Sequence, residues 1–127
     1  MSAGALEAVT VAIGGGVGAM ARYTLDGLVA RTVRRRGGGT GSFPWGITAV
    51  NLTGSFVLGL LVGAGIVWPA LTVGLLGGYT TFSTASLDTV RLVREKRYVA
   101  AAGNAFGTLG IAVLLVSAGV LLGGLWR

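Results

Sequence analysis

The chain has 127 residues, of which 53% are hydrophobic and only 11% are charged, with a mean hydropathy of +0.80. Soluble domains carry about 25% charged residues, so this deficit, together with 24 glycines, favours a membrane protein. The absence of Cys and His excludes disulfides, thiol chemistry and imidazole metal sites. The net charge is +6, but the basic residues flank apolar segments, which indicates topology determinants rather than nucleic-acid binding.

Four apolar segments follow one another, each near the ~20 residues needed to cross a bilayer. We predict spans at residues 6–29, 44–67, 69–90 and 98–126. Basic loops at 31–42 and 91–97 follow the first and third spans, and Trp68-Pro69 divides the second from the third, because Pro ends one helix and begins the next. The pattern predicts an all-α membrane protein with one four-helix domain over residues 1–127. Four helices are few for enclosing a pathway, which favours a dimer.

The first span is rich in Gly and Ala, at GGGVGA (14–19), and small residues let helices approach closely in lipid. The same run resembles a dinucleotide-binding fingerprint, but that motif needs a preceding strand and an acidic residue about 20 positions on. An arginine loop follows instead, so the interpretation as a nucleotide site is rejected. Arg22, near the end of this span, is a functional candidate if it lies in the membrane. The alternatives are that it reaches the interface or pairs with Asp26, four residues on.

The centre of the third span is unusually polar, at GLLGGYTTFSTASL (74–87). Gly77 and Gly78 precede five hydroxyl residues: Thr80, Thr81, Ser83, Thr84 and Ser86. Glycine disfavours helix, and hydroxyls compete for backbone hydrogen bonds, so we predict a helix broken at mid-membrane. Broken backbone at that depth must be buried in protein or line a cavity, which indicates a channel or transporter. The alternative is a hydroxyl-rich helix packed tightly on a neighbour.

Further polar residues lie inside the spans. Asn51, in the second span, can either donate to an anion or bond a neighbouring helix. Asn104 and Thr108 share a face of the fourth span, one turn apart, whereas Ser117 is isolated and is expected to bond its own backbone. Phe82 lies among the hydroxyls of the break, where the positive edge of its ring can contact a small anion or simply pack in a core.

These motifs together resemble the small fluoride channel family known as Fluc or CrcB. Four runs carry the resemblance, in the family's order and spacing: GGGVGAMARY (14–23), TAVNLTGSFVLG (48–59), GLLGGYTTFSTASLD (74–88) and NAFGT (104–108). TTFST is the most specific of them. The resemblance covers nearly the whole chain.

The resemblance implies passive, selective export of fluoride from the cytoplasm, which relieves fluoride toxicity. It implies a cell-membrane protein that forms an antiparallel dimer with pores along the subunit interface. The fluoride pore residues would be Asn51, Phe82, Ser83, Thr84, Asn104 and Thr108. Arg22 would be the family's first-helix arginine. A structural sodium ion at the dimer interface would be held by the backbone carbonyls of Gly77 and Thr80. One position departs from the family pattern, because Ala85 stands where a second pore phenylalanine is usual.

The basic residues predict orientation. The two loops on one side of the membrane hold Arg31, Arg34, Arg35, Arg36, Arg91, Arg94, Lys96 and Arg97. The other side holds only Arg127, and short loops rich in Lys and Arg face the cytoplasm, so both termini should lie outside. A strong bias inserts the chain one way only, so an antiparallel dimer would need a related partner of opposite bias. We therefore expect one half of a heterodimer, with a homodimer as the alternative.

Other functions fit the residues less well. A small dimeric four-helix cation or multidrug exporter is the main alternative, but it needs a carboxylate at depth, and none occurs in the middle of spans two to four. A non-transporting membrane subunit is a second possibility. An enzyme is disfavoured, because the chain lacks a nucleophile–base pair.

Overall fold

The computed structural model describes residues 1–39 and 43–127, and within these ranges the chain is helical and contains no strand. Two elements precede the broken span: α1 (Ala3–Arg35) and α2 (Trp45–Gly63). The third span consists of a π-helical segment (Ala70–Leu75), α3 (Leu76–Tyr79) and α4 (Phe82–Arg94). The fourth consists of α5 (Tyr98–Ala102), a π-helical segment (Gly103–Gly107) and α6 (Thr108–Gly124).

Within the described residues, three helical stretches are long and apolar enough to cross a membrane: Ala3–Arg35, Trp45–Gly63 and Tyr98–Gly124. The third predicted span is too interrupted to count as one such helix, although its pieces together cover a similar length. All-helical architecture and the break in the third span are therefore confirmed. The helix of the fourth span begins at Tyr98, and it contains a π-helical turn that the sequence did not predict.

α1 is longer than predicted. It has 33 residues, so it is about 50 Å long, against a hydrocarbon core of about 30 Å. The sequence predicts a loop from residue 31, but the helix continues through Arg35, because Arg is a good helix former and a basic last turn complements the helix dipole. Residues 40–42 of the predicted loop lie outside the described residues.

Glycines bring the spans into close contact, as predicted for the first span. A Cβ on Gly14 would lie 2.5 Å from the main-chain oxygen of Ala70, and one on Gly18 would overlap the carbonyl of Leu75. α1 therefore packs backbone to backbone against the π-helical segment of the third span. A second contact of this kind joins α2 to α6, where a Cβ on Gly119 would lie 2.5 Å from the main-chain oxygen of Phe56.

Candidate functional site

The break in the third span lies at two extended residues between α3 and α4. Thr80 has φ −78° and ψ 156°, and Thr81 has φ −148° and ψ 122°. The main-chain N–H of Thr80 still donates to Leu76, at 2.9 Å, but that of Thr81 does not continue the helix. Glycine is not needed for these angles, since both φ values are negative. Gly77 and Gly78, which precede the break, are therefore not needed to relieve backbone strain at Thr80 and Thr81.

Asn51 of α2 hydrogen-bonds the backbone at the break. Its Oδ1 accepts from the main-chain N–H of Thr81 at 2.9 Å, and its Nδ2 donates to the main-chain oxygen of the same residue at 3.0 Å. One side-chain amide thus replaces the backbone partners that Thr81 loses by leaving the helix. Each group left unpaired in a low-dielectric interior would cost about 1–3 kcal/mol, so this pairing stabilises the break substantially. Of the two alternatives for Asn51, bonding to a neighbouring segment is observed.

Close packing accompanies this pairing. Gly54, one turn after Asn51 on α2, faces the break: a Cβ there would lie 2.5 Å from Thr80 Cγ2 and 3.1 Å from the Tyr79 ring. The Tyr79 hydroxyl lies 2.8 Å from the hydroxyl of Thr53, also on α2. Contacts from about one helical turn, residues 51–54, therefore hold α2 against the end of α3.

The hydroxyls after the break converge on Thr81, which is 8% exposed. Thr81 Oγ1 caps α4 by accepting from the main-chain N–H of Thr84 at 3.3 Å, and it donates to Thr84 Oγ1 at 3.2 Å. The hydroxyl of Ser83 is 3.3 Å from the same oxygen. Ser83 and Thr84, two predicted pore residues, thus share one hydrogen-bonded cluster. Thr81 is not among the residues predicted to form the site, although a threonine just before a helix start is a recognisable N-cap signal.

Asn104 binds α4 one turn further on. It is 5% exposed, and its Nδ2 donates to the main-chain oxygen of Ala85 at 3.1 Å and to Thr89 Oγ1 at 2.9 Å. The Thr89 hydroxyl also donates to the oxygen of Ala85, at 2.9 Å. The two asparagines of spans two and four therefore bind α4 at carbonyls four residues apart, which is about one helical turn. Thr108, the other polar residue of this face, is half-buried at the start of α6.

Not every predicted residue joins this arrangement. Phe82 points away from the rest of the chain and is 88% exposed. Arg22 lies in the middle of α1, half-buried, and within residues 1–39 and 43–127 it forms no ion pair. Of the alternatives for Arg22, pairing with Asp26 is not observed among the described residues: the spacing allows contact along the helix, but Asp26 lies toward α2, against the backbone of Gly46.

A cavity of about 370 Å³ opens beside the cluster, on the side of the basic segments. Its lining combines the hydroxyl-bearing Thr84 with two carboxylates, Asp26 and Asp88, and two guanidinium groups, Arg34 and Arg91. Arg91 pairs with Asp88 at 3.8 Å and with Glu95 at 3.9 Å. Arg34 and Arg91, from the two basic segments of the chain, thus border one cavity that reaches Thr84. Sequence spacing alone did not indicate this cavity, because its lining comes from three separate spans.

The backbone carbonyls of Gly77 and Thr80 are left without hydrogen bonds by the break. In a continuous helix the N–H of Thr81 would donate to Gly77, but it donates to Asn51 instead. No donor to either carbonyl is found in the described part of the chain. Gly77 is exposed, and a Cβ there would have no neighbour within 4 Å. The two carbonyls are therefore available to a ligand or a second subunit.

Comparison with known proteins gives a consistent result. The family model "CrcB-like protein, Camphor Resistance (CrcB)" matches residues 9–120. A protein of Leifsonia xyli subsp. xyli named fluoride-specific ion channel FluC 1 is 46% identical, over 94% of this chain and 88% of that protein. FluC 2 of Natronomonas pharaonis is 43% identical over 93% and 95% of the two chains, and FluC of Geobacter sulfurreducens is 34% identical over 89% and 93%. The third span is broken, and Asn51 hydrogen-bonds the broken backbone. Together with these matches along nearly the whole length, this shows that the chain belongs to the CrcB-like family.

Proposed function

We propose that this chain forms a fluoride-specific channel that lets fluoride leave the cell passively. The observation that carries the proposal is 46% identity, over nearly the whole chain, to a protein named as such a channel. The geometry supports it, because uncharged donors line α4 from the break onward. A fixed positive charge would bind a small anion tightly, whereas amide and hydroxyl donors can replace its hydration and still release it.

The candidate donors lie along one path. The Thr84 hydroxyl borders the cavity on the basic side, and the Ser83 hydroxyl is exposed nearby. Asn51 uses one N–H on Thr81, and its second N–H has no acceptor in the described ranges. Thr108 extends the path along the fourth span. Asn104 would line the path and hold α4 in place, because its N–H groups already donate to Ala85 and Thr89. Phe82 offers its ring edge. Arg22 and the basic side of the cavity would raise the local anion concentration.

A second subunit completes the pathway in this proposal. Phe82 is 88% exposed and Phe106 is 76% exposed, although both lie in segments that bear proposed pore residues. Exposed Gly77, Gly103 and Gly107 lie in the same spans, with open space beside each. Small residues and unpaired polar groups favour association of helices in lipid. An antiparallel dimer would cover these positions and leave the outer faces to membrane lipid.

A structural sodium ion is also proposed, on the carbonyls of Gly77 and Thr80. The fit is good, because both oxygens are uncharged, hard and free of hydrogen bonds within the described residues. The ion would supply positive charge at the subunit contact and hold two chains together there. Every other part of the proposed pathway is built from the chain's own amides, hydroxyls and rings.

We further propose that both basic segments face the cytoplasm, that both termini lie outside, and that the partner is a related chain with opposite orientation. Support comes from the bias of eight basic residues against one, and from Arg34 and Arg91 bordering the same cavity. Cysteine residues added at the two termini of the otherwise Cys-free chain would be labelled only from outside intact cells. Labelling from both faces, or an active channel from this chain alone, would contradict the heterodimer.

Fluoride efflux from proteoliposomes tests the function. The purified assembly should release loaded fluoride when a potassium ionophore dissipates the membrane potential, and it should not release chloride. Proton-coupled movement of organic cations with no fluoride efflux would support an exporter instead. Ser117→Ala serves as a matched control, because the Ser117 hydroxyl donates to Val113 of its own helix and, among the described residues, has no other recorded partner.

A further inference from the structure

We propose that Asn51 is a positioning residue that couples the sodium carbonyls to the anion pathway. This inference rests on the proposed function and deepens it. Its basis is that one hydrogen bond, from the N–H of Thr81 to Asn51 Oδ1 at 2.9 Å, determines the state of both proposed sodium ligands.

The first ligand is the carbonyl of Gly77. The N–H of Thr81 is the donor that a continuous helix would place on this oxygen. Because Asn51 takes that N–H, the Gly77 carbonyl is left free to bind a cation. Without Asn51, the N–H of Thr81 could instead donate to the Gly77 carbonyl, which would extend α3 across the break.

The second ligand is the carbonyl of Thr80, which belongs to the same peptide unit as the N–H of Thr81. In a trans peptide the C=O and N–H point in opposite directions, and the chain contains no cis peptide among its described residues. Since the N–H points at Asn51 on α2, the carbonyl of Thr80 must point away from α2. Asn51 therefore sets the direction of this oxygen as well as freeing the other.

The Thr80–Thr81 peptide and the Asn51 amide, joined by this hydrogen bond, would couple sodium binding to fluoride binding. A cation on the Thr80 carbonyl polarises its peptide, which strengthens the N–H bond to Asn51 Oδ1, and hydrogen-bonded groups in series reinforce one another. Polarisation of the amide in turn makes its remaining N–H a better donor to fluoride. Because coupling between binding sites is reciprocal, fluoride should strengthen sodium binding by the same factor that sodium strengthens fluoride binding.

The test is sodium-dependent stability, which does not depend on flux. The fluoride-conducting dimer is purified, and its thermal unfolding is followed as sodium replaces N-methylglucamine, with and without fluoride. Asn51→Leu should raise the sodium concentration for half-maximal stabilisation by about tenfold, the loss expected when a hydrogen bond that fixes a ligand is removed. Fluoride should lower that concentration for the wild type and leave it unchanged for Asn51→Leu.

Thr53→Val is the matched control. Thr53 is on the same helix and also bonds the end of α3, through the Tyr79 hydroxyl at 2.8 Å, but it does not touch the Thr80–Thr81 peptide. Its sodium midpoint should move by less than about threefold. Equal shifts for Asn51→Leu and Thr53→Val would overturn the inference, as would a wild-type protein that conducts fluoride but is not stabilised by sodium.

A second variant covers the case in which Asn51→Leu does not fold. Asn51→Asp keeps an oxygen for the N–H of Thr81 but lacks the amide N–H that would meet fluoride. It should still be stabilised by sodium, with no response to fluoride. A fluoride-dependent shift that persists in Asn51→Asp would overturn the coupling, whereas failure of the wild type to conduct fluoride would count against the proposed function itself.

Discussion

The third and fourth spans both depart from a regular α-helix, but only the third is broken. Each contains a π-helical segment, Ala70–Leu75 or Gly103–Gly107, with glycine and polar residues in or after it, yet only the third has extended residues. In the third span an amide from α2 bonds the backbone, and it satisfies both the N–H and the C=O of Thr81. In the fourth span the amide belongs to the span itself, as Asn104, and it points outward to α4 while its own backbone stays helical. Glycine and polar residues are thus insufficient for a break, and an outside partner for the peptide is also needed.

The largest predicted difference between the two spans comes from removing each amide. Asn51→Leu should lower the free energy of unfolding by about 3 kcal/mol, because the N–H and C=O of Thr81 both lose their partner. Asn104→Leu should cost only about 1 kcal/mol, because the Ala85 carbonyl still accepts from Thr89. Unfolding in mixed detergent micelles, followed by circular dichroism, measures both. Equal losses would mean that the break does not depend on Asn51.

A smaller loss of stability is predicted when a glycine that packs against the third span, or one that lies in the fourth, is replaced by alanine. Gly54→Ala should destabilise the protein by about 2 kcal/mol, because its methyl group would be forced against Thr80 Cγ2 and the Tyr79 ring. Gly110→Ala is the matched change on the fourth span, where nothing lies within 4 Å, and its effect in a separated subunit should stay within about 0.5 kcal/mol. Thermal stability of both variants provides the measurement. A large cost for Gly110→Ala only in the assembled dimer would place that glycine at the subunit contact.

The smallest effect concerns the threonine hydroxyls at each contact. Thr81→Val should cost about 1 kcal/mol, because α4 loses its N-cap at the N–H of Thr84. Thr89→Val should cost about 0.5 kcal/mol, because Asn104 keeps its bond to the Ala85 carbonyl. The same unfolding assay ranks them. If Thr89→Val proved the more damaging, the fourth-span contact would be the more important anchor of α4.

The amino-acid sequence by itself determined the class of the protein and the position of the break. Long apolar stretches, a glycine pair and adjacent hydroxyls are local features, and their effect on a membrane helix follows from backbone hydrogen bonding alone. The close approach of the first span through Gly14 and Gly18 was predictable for the same reason. Ala85 was also visible as a departure, because it lies within a recognisable motif.

Only the tertiary structure decided which groups meet. Asn51 and Thr81 are 30 residues apart, and Asn104 and Ala85 are 19 apart. No local pattern specifies such pairings, since each asparagine had several polar groups within reach of a plausible packing. The alternative in which Arg22 pairs with Asp26 is not observed among the described residues for the same reason: helical spacing permits it, but packing places Asp26 against Gly46. Local sequence sets the preference of the backbone, whereas the partner of a buried polar group depends on how whole helices pack, because every such group must be satisfied at once.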